Sequence, residues 1–137
     1  MANVQVTDGA GNLILDGDTT PSTDNQTSFG SVNVGSSLAR TYTLENEGAR
    51  SLGVAGVTIG GANAADFSVT QQPASSLGKN STSNFVVTFR PTATGARNAT
   101  VTITTSGAAK NTFTFDITGN GTSAAASATD AALSSLV

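Results

Sequence analysis

The chain has 137 residues, of which 37% are hydrophobic and only 11% charged, and nine acidic against six basic side chains leave a net charge of −3. This length suits one domain that can bury enough surface to fold without staples. With no Cys and no His, disulfides, thiolate chemistry and the usual base for a hydroxyl nucleophile are excluded, and scattered cations give no footprint for nucleic acid or an anionic membrane.

The opening MANVQVTDGAG has neither a basic n-region nor an apolar h-region, so no secretory leader is expected. No apolar run approaches a membrane span, and neither end carries a lipidation signal. Val4–Thr7 and Leu13–Leu15 read as strands of an N-terminal hairpin around the turn DGAGN, Asp8–Asn12. The longest polar connection is DGDTTPSTDNQT, Asp16–Thr27. Asp16 and Asp18, with Asp8 and Asp24 nearby, offer oxygen ligands, but Thr27 stands where a calcium loop opened by Asp16 needs Glu. Asp and Gly favour turns in their own right, so no metal is expected.

Ser31–Val34 and Arg40–Asn46 follow as strands. In ARTYTLEN the period of two puts Arg40, Tyr42 and Leu44 on one face and Thr41, Thr43 and Glu45 on the other. Glu45 and Glu47 read as a solvated edge. Gly53–Ile59 is the next strand, NAADF is expected to hold one helical turn capped by Asn63, and Phe67–Gln71 is a further strand. A long polar segment then separates FSV from FVVTF and reads as a sandwich corner. Within it Gly78-Lys79 resembles the end of a phosphate loop, but Asn80 follows and no Gly precedes at the required spacing, which leaves a β-turn.

In Asn84–Arg90, Phe85, Val87 and Phe89 alternate with Val86 and Thr88, and Pro91 stops the strand because it cannot donate to a ladder. Arg97–Thr105 turns Ala99, Val101 and Ile103 one way and threonines the other; β-branched threonine suits an outer pleated face. SGAAKN, Ser106–Asn111, is expected to join it to Thr112–Thr118, whose inward residues are Phe113, Phe115 and Ile117. GNGTSA, Gly119–Ala124, matches a dinucleotide fingerprint, but the chain ends before the required βαβ unit and acidic residue, so it reads as the exit from the last strand. In TSAAASATDAALSSLV, residues Ala131, Ala132, Leu133, Leu136 and Val137 fit a short amphipathic helix from near Thr129. Such a helix is marginal alone, so the tail is either loosely ordered or ordered on a partner.

One wet and one apolar face per strand, with breaks between, predicts an all-β, immunoglobulin-like antiparallel β-sandwich of seven to nine strands. Residues 1–121 form the sandwich, with 1–16 an N-terminal hairpin or arm, and 122–137 an Ala/Ser-rich tail. Phe67, Phe85, Phe89, Phe113 and Phe115 are spaced to fill the layer between sheets. No catalytic, cofactor-binding or metal-binding residue is expected, since His is absent, Lys79 and Lys110 fall in turns, and Glu45 and Glu47 read as a solvated edge. Partner contacts are expected at two apolar places: Val4, Val6, Leu13 and Leu15 on the hairpin, and Leu133, Leu136 and Val137 in the tail. The hairpin and the strand ending at Thr118 are expected to be exposed edges, which can pair with another chain.

The motifs GANAADFSV…QPAS, VTFRPTATGARNATVTI and FDITGNGT, with DGDTTPST…TSFGSVNVGSS…RTYTLENEG upstream, resemble the bacterial immunoglobulin-like domains of choice-of-anchor D surface proteins, relatives of ASPM–SPD-2–Hydin domains. The likeness runs from about Asn3 to Gly121. It implies a β-sandwich module with a structural or binding role and no catalytic residue. A single copy without leader or anchor fits a bacteriophage virion protein of the capsid decoration or cement type, made in the host cytoplasm and released by lysis. Its partners would be capsid shell subunits or copies of itself, with no nucleic acid and no membrane. The alternatives are an adhesion or spacer module of a bacterial cell-surface protein and an intracellular scaffold domain.

Overall fold

The computed structural model describes residues 3–108 and 111–123. In chain order the strands are β1 (Val4–Asp8), β2 (Leu13–Ile14), β3 (Ser28–Asn33), β4 (Leu38–Asn46), β5 (Leu52–Gly60), β6 (Phe67–Gln71), β7 (Ser76–Leu77), β8 (Thr82–Phe89), β9 (Gly95–Ser106) and β10 (Thr112–Thr122). One turn of 3-10 helix, Ala64–Asp66, precedes β6. The strands form two five-stranded sheets, ordered β2-β1-β4-β8-β6 and β3-β10-β9-β5-β7. Every pairing is antiparallel except β3 with β10. No helix among the described residues is long and apolar enough to cross a membrane.

The two-residue alternation places the core. Tyr42 and Leu44, then Phe85, Val87 and Phe89, point inward from the first sheet; Val101, Ile103, Phe115 and Ile117 point inward from the second. Arg40, on the inner face with Tyr42, is half-buried at the rim. Two aromatic groups fill the layer. Phe67 stacks on Phe89 at 4.6 Å while Phe29 meets both edge-on at 5.6 and 5.8 Å. Tyr42 stacks on Phe85 at 5.4 Å and meets Phe115 edge-on at 5.6 Å. Each such contact contributes about 0.5–1.5 kcal/mol beyond area burial.

Four local expectations change. The strand expected at Ser31–Val34 starts at Ser28 and carries Phe29 into the core, a ring the sequence reading left out. The polar corner before β8 is not wholly surface, because Leu77 in β7 is buried and pairs with Leu52. The NAADF turn forms, but Asn63 does not cap it: its side-chain oxygen accepts from Asn98 N at 2.8 Å and ties the turn to β9 instead. GNGT is not an exit from the last strand, since β10 continues to Thr122 along β3 and β9. Glycine is needed at two of those positions. A Cβ at Gly119 would lie 2.7 Å from Cζ of Phe89, and one at Gly121 would collide with the Ala93 carbonyl oxygen. The expected tail, including Leu133, Leu136 and Val137, lies outside the described residues, apart from Thr122 and Ser123.

Candidate functional site

The buried polar residues join loops to strands. Asp66 is 3% exposed. Its carboxylate accepts from Thr92 N at 3.2 Å, Thr92 Oγ1 at 2.7 Å and Arg97 Nε at 2.6 Å. Its carbonyl accepts from Arg90 N. Burial pushes the Asp66 carboxyl up, but the hydrogen bonds from Thr92 and the Arg97 guanidinium outweigh it and hold it below the ordinary carboxylate range. This one side chain fastens the Arg90–Thr92 bend and the start of β9 to the 3-10 turn. At the other end of the sandwich, Asn46 Nδ2 donates to Arg50 O at 2.6 Å and Leu77 O at 3.1 Å. Asn46 Oδ1 accepts from Asn3 N and Gly48 N. Its backbone also exchanges bonds with Asn80 and Ser81 of the Gly78–Ser81 turn, so Gly78-Lys79 does lie in a turn.

Asp8 acts within its own hairpin, accepting from Ala10 N, Asn12 N and Asn12 Nδ2. Burial again raises its pKa, and these hydrogen bonds outweigh that effect and lower it overall. Tyr42 Oη donates to Gln26 O at 2.8 Å, holding Gln26 at φ 60°, a backbone region that costs non-glycine residues energy. Burial pushes the Tyr42 phenol well above its ordinary value. Of the carboxylates raised as possible cation ligands, Asp8, Asp16 and Asp18 hold donors, while Asp24 stands exposed on its loop. Asp16 Oδ1 accepts from Thr114 N, and Asp18 Oδ1 accepts from Thr20 N and Thr20 Oγ1. Among the described residues no group of three or more acidic, His or Cys side chains is placed to hold a metal ion.

The apolar contact candidates separate. Val6 is fully buried and belongs to the core, so it is not a surface contact; Val4 packs half-buried against that core. Leu13 and Leu15 are 50% and 63% exposed, and among the described residues the third exposed large apolar side chain is Val34 at 37%. The strand ending at Thr118 is also not an edge. β3 covers the second half of β10. The chain leaving β2 covers the first half, with Gly17 N donating to Thr114 O and Asp116 N to Asp18 O. The hairpin side therefore remains: β2 is the outer strand of its sheet. A groove of about 580 Å³ runs between Leu13–Leu15 and the loop carrying Asp18, Pro21, Asp24 and Asn25. The polar loop members were legible only as turn formers, since nothing in the sequence showed that the loop folds back beside the leucines. A smaller groove of about 320 Å³ crosses the outer face of β9 and β10 at Asn98, Thr100 and Asp116. Thr100 Oγ1 donates to Asp116 there at 2.7 Å.

The model of the family described as Cep192 domain 4 matches residues 21–122. No curated protein matches the chain. Among solved structures, a protein from Porphyromonas gingivalis W83 is similar with a TM-score of 0.62 at 10% identity, over 87% of this chain and 46% of that one. The secreted serine protease VesC from Vibrio cholerae gives 0.54 at 12% identity, over 69% of this chain and 21% of that one. The PapD-like domain 7 of human CEP192 gives 0.50 at 19% identity, over 81% and 94%. The chain thus spans less than half of the first and about a fifth of the second. At these identities the likeness is one of fold.

Proposed function

The chain belongs to the Cep192 domain 4 family, immunoglobulin-like domains related to the ASPM–SPD-2–Hydin type, and we propose that it is a non-enzymatic protein-binding module of a bacteriophage particle. On this reading it is a decoration or cement subunit at the virion surface, bound to shell subunits or to copies of itself and made in the host cytoplasm. The observation that carries the binding role is the exposure of Leu13 on an edge strand and of Leu15 just past its end, beside a groove, where twenty other hydrophobic residues among those described are buried. Covering such a pair removes apolar surface from water, which association with another protein achieves. The buried polar groups support the non-enzymatic part, because Asp66, Asn46 and Asp8 each spend their hydrogen bonds on backbone and loop closure. The outer faces of β9 and β10, rich in threonine and asparagine, suit a surface that must persist outside a cell.

The test uses particles assembled from the encoding genome with this gene deleted. Purified protein added back is expected to co-sediment with them and to saturate at a fixed number of copies per particle. Failure to bind, with the particles intact, would overturn the virion reading.

A second reading, an adhesion or spacer module of a bacterial surface or secreted protein, has its own support. It draws on the choice-of-anchor D resemblance and on the VesC comparison, where a sandwich like this one matches about a fifth of a secreted chain. Genes flanking this one discriminate: capsid and portal genes favour the first reading, and repeats or a leader in frame with this sequence favour the second.

A further inference from the structure

We propose that the groove beside β2 receives an extended peptide segment whose side chains alternate between apolar and basic; this rests on the protein-binding reading above and specifies its partner. The exposed leucines set the conformation of the occupant. Ile14 is buried while Leu13 and Leu15 face out, so this stretch is extended and the two leucines are about 6.6–6.8 Å apart along it. An extended partner repeats its own side chains at the same interval, and a helix does not. The groove wall sets the charge. Its charged side chains are Asp18 and Asp24, and no Lys or Arg lines it. Asp18 is engaged at one oxygen by Thr20 and at the other by Asn25 Nδ2 at 3.5 Å, whereas no described residue donates to the Asp24 carboxylate, which is left to a cation.

Charge complementarity also decides against the two occupants nearest to hand. A second copy would bring a chain of net charge −3, and its own groove face carries no Lys or Arg to offer. The chain's own TSAAASATDAALSSLV segment carries Asp130 and no Lys or Arg, so it would bring a like charge to the groove. A foreign segment with Lys or Arg at every second position meets both demands, its apolar side chains covering Leu13 and Leu15 and its cations facing the aspartates.

The probes are three synthetic ten-residue peptides: alternating Val and Lys, alternating Val and Glu, and the Val/Lys composition with the alternation scrambled. Titration of the isotope-labelled full chain by NMR is expected to give saturable shifts at Leu13, Leu15, Asp24 and Asn25 with the Val/Lys peptide. Affinity should fall at least tenfold for the other two peptides. Leu15→Asp and Asp24→Lys should each weaken Val/Lys binding about tenfold, and Asp24→Lys should improve Val/Glu binding. Both substituted positions are exposed, and an unchanged melting temperature shows that the variants fold. The proposal is overturned if Val/Lys produces no saturable shifts, if its shifts map away from the groove, or if the variants bind it as the parent does. Particle attachment that survives in Leu15→Asp would sink the groove and leave the virion reading standing. Peptide binding in the groove with no attachment to particles would sink the virion reading and leave the groove.

Discussion

Replacing Asp66 with Ala is expected to destabilise the domain by about 3 kcal/mol. The carboxylate is 2% exposed and holds three donors: Arg97 Nε, Thr92 N and Thr92 Oγ1. Removing one partner from a buried pair costs ~3–5 kcal/mol, because the remaining charge stays desolvated. The lower end applies here, since the Arg97 side chain is 20% exposed and can turn its guanidinium into water. Thr92 is exposed as well, so its N–H and hydroxyl can turn to water once the carboxylate is gone, which again favours the lower end. For a chain of this length ~1 kcal/mol moves Tm by about 3–4 °C, so a fall of about 10 °C is expected. Urea unfolding followed by far-UV circular dichroism measures the free energy. Asp66→Asn, which keeps the shape and loses the charge, should fall between the parent and Ala. A double-mutant cycle with Arg97→Met should return a coupling of about 1–2 kcal/mol. A loss below about 1 kcal/mol for Asp66→Ala at unchanged m-value, or zero coupling in the cycle, would refute the claim that this pair fastens the bend.

Gly119→Ala should cost about 1–3 kcal/mol, the usual penalty of overpacking, because its Cβ meets the Phe89 ring and that ring is already stacked on Phe67; Thr104→Ala on the exposed face of β9 should stay within about 0.5 kcal/mol, and equal losses in a urea titration would contradict the facing assignment. Asn46→Asp should destabilise more at neutral pH than Asn46→Ala, since an ionised carboxylate has no hydrogen to give to the Arg50 and Leu77 carbonyls; part of the loss should return in acid as the carboxyl regains a donor, and a pH-independent deficit would speak against it. Acid should weaken the fold through Asp66 and Asp8. Both pKa values lie below the ordinary 3.8 in the folded chain, so the unfolded state binds more protons and stability rises with pH. Their contribution is complete above the unfolded value and is lost as pH falls through the folded ones. Asp66→Asn should flatten that acid limb, and an unchanged limb would contradict the assignment.

Most of the sandwich was legible because one face of each long strand is buried, and a period of two then fixes every inward residue in β4, β8, β9 and β10. The pieces that were missed carry a weaker signal. Phe29 stands beside Gly30, and Leu77 is one apolar residue among serines, so neither belongs to an alternating run. The continuation of β10 through GNGT was hidden because two glycines read as a break. Glycine is there because the Phe89 ring and the Ala93 carbonyl approach too closely for any Cβ. Asp66 and Arg97 were present in the motifs that carry the family resemblance, but the sequence places them thirty-one positions apart. Only the folded chain shows that one neutralises the other.

The contact surface was half legible for a reason that lies in the turn. Alternation puts Val4 with Val6, and Leu13 with Leu15, but it does not say whether the two pairs share a face. That depends on hairpin register. Val6 is opposite Ile14 and Thr7 opposite Leu13, and the backbone bonds from Asp8 N to Asn12 O and from Gly11 N to Asp8 O close the loop over Gly9–Gly11. Residues of like parity therefore face each other across β1 and β2. Val6 and Ile14 become the inward pair, and Leu13 and Leu15 turn to water. A loop shorter or longer by one residue would reverse the assignment, sending the leucines into the core and Ile14 out. The DGAGN turn, which offers no chemistry of its own, thus decides which apolar side chains this domain can offer a partner.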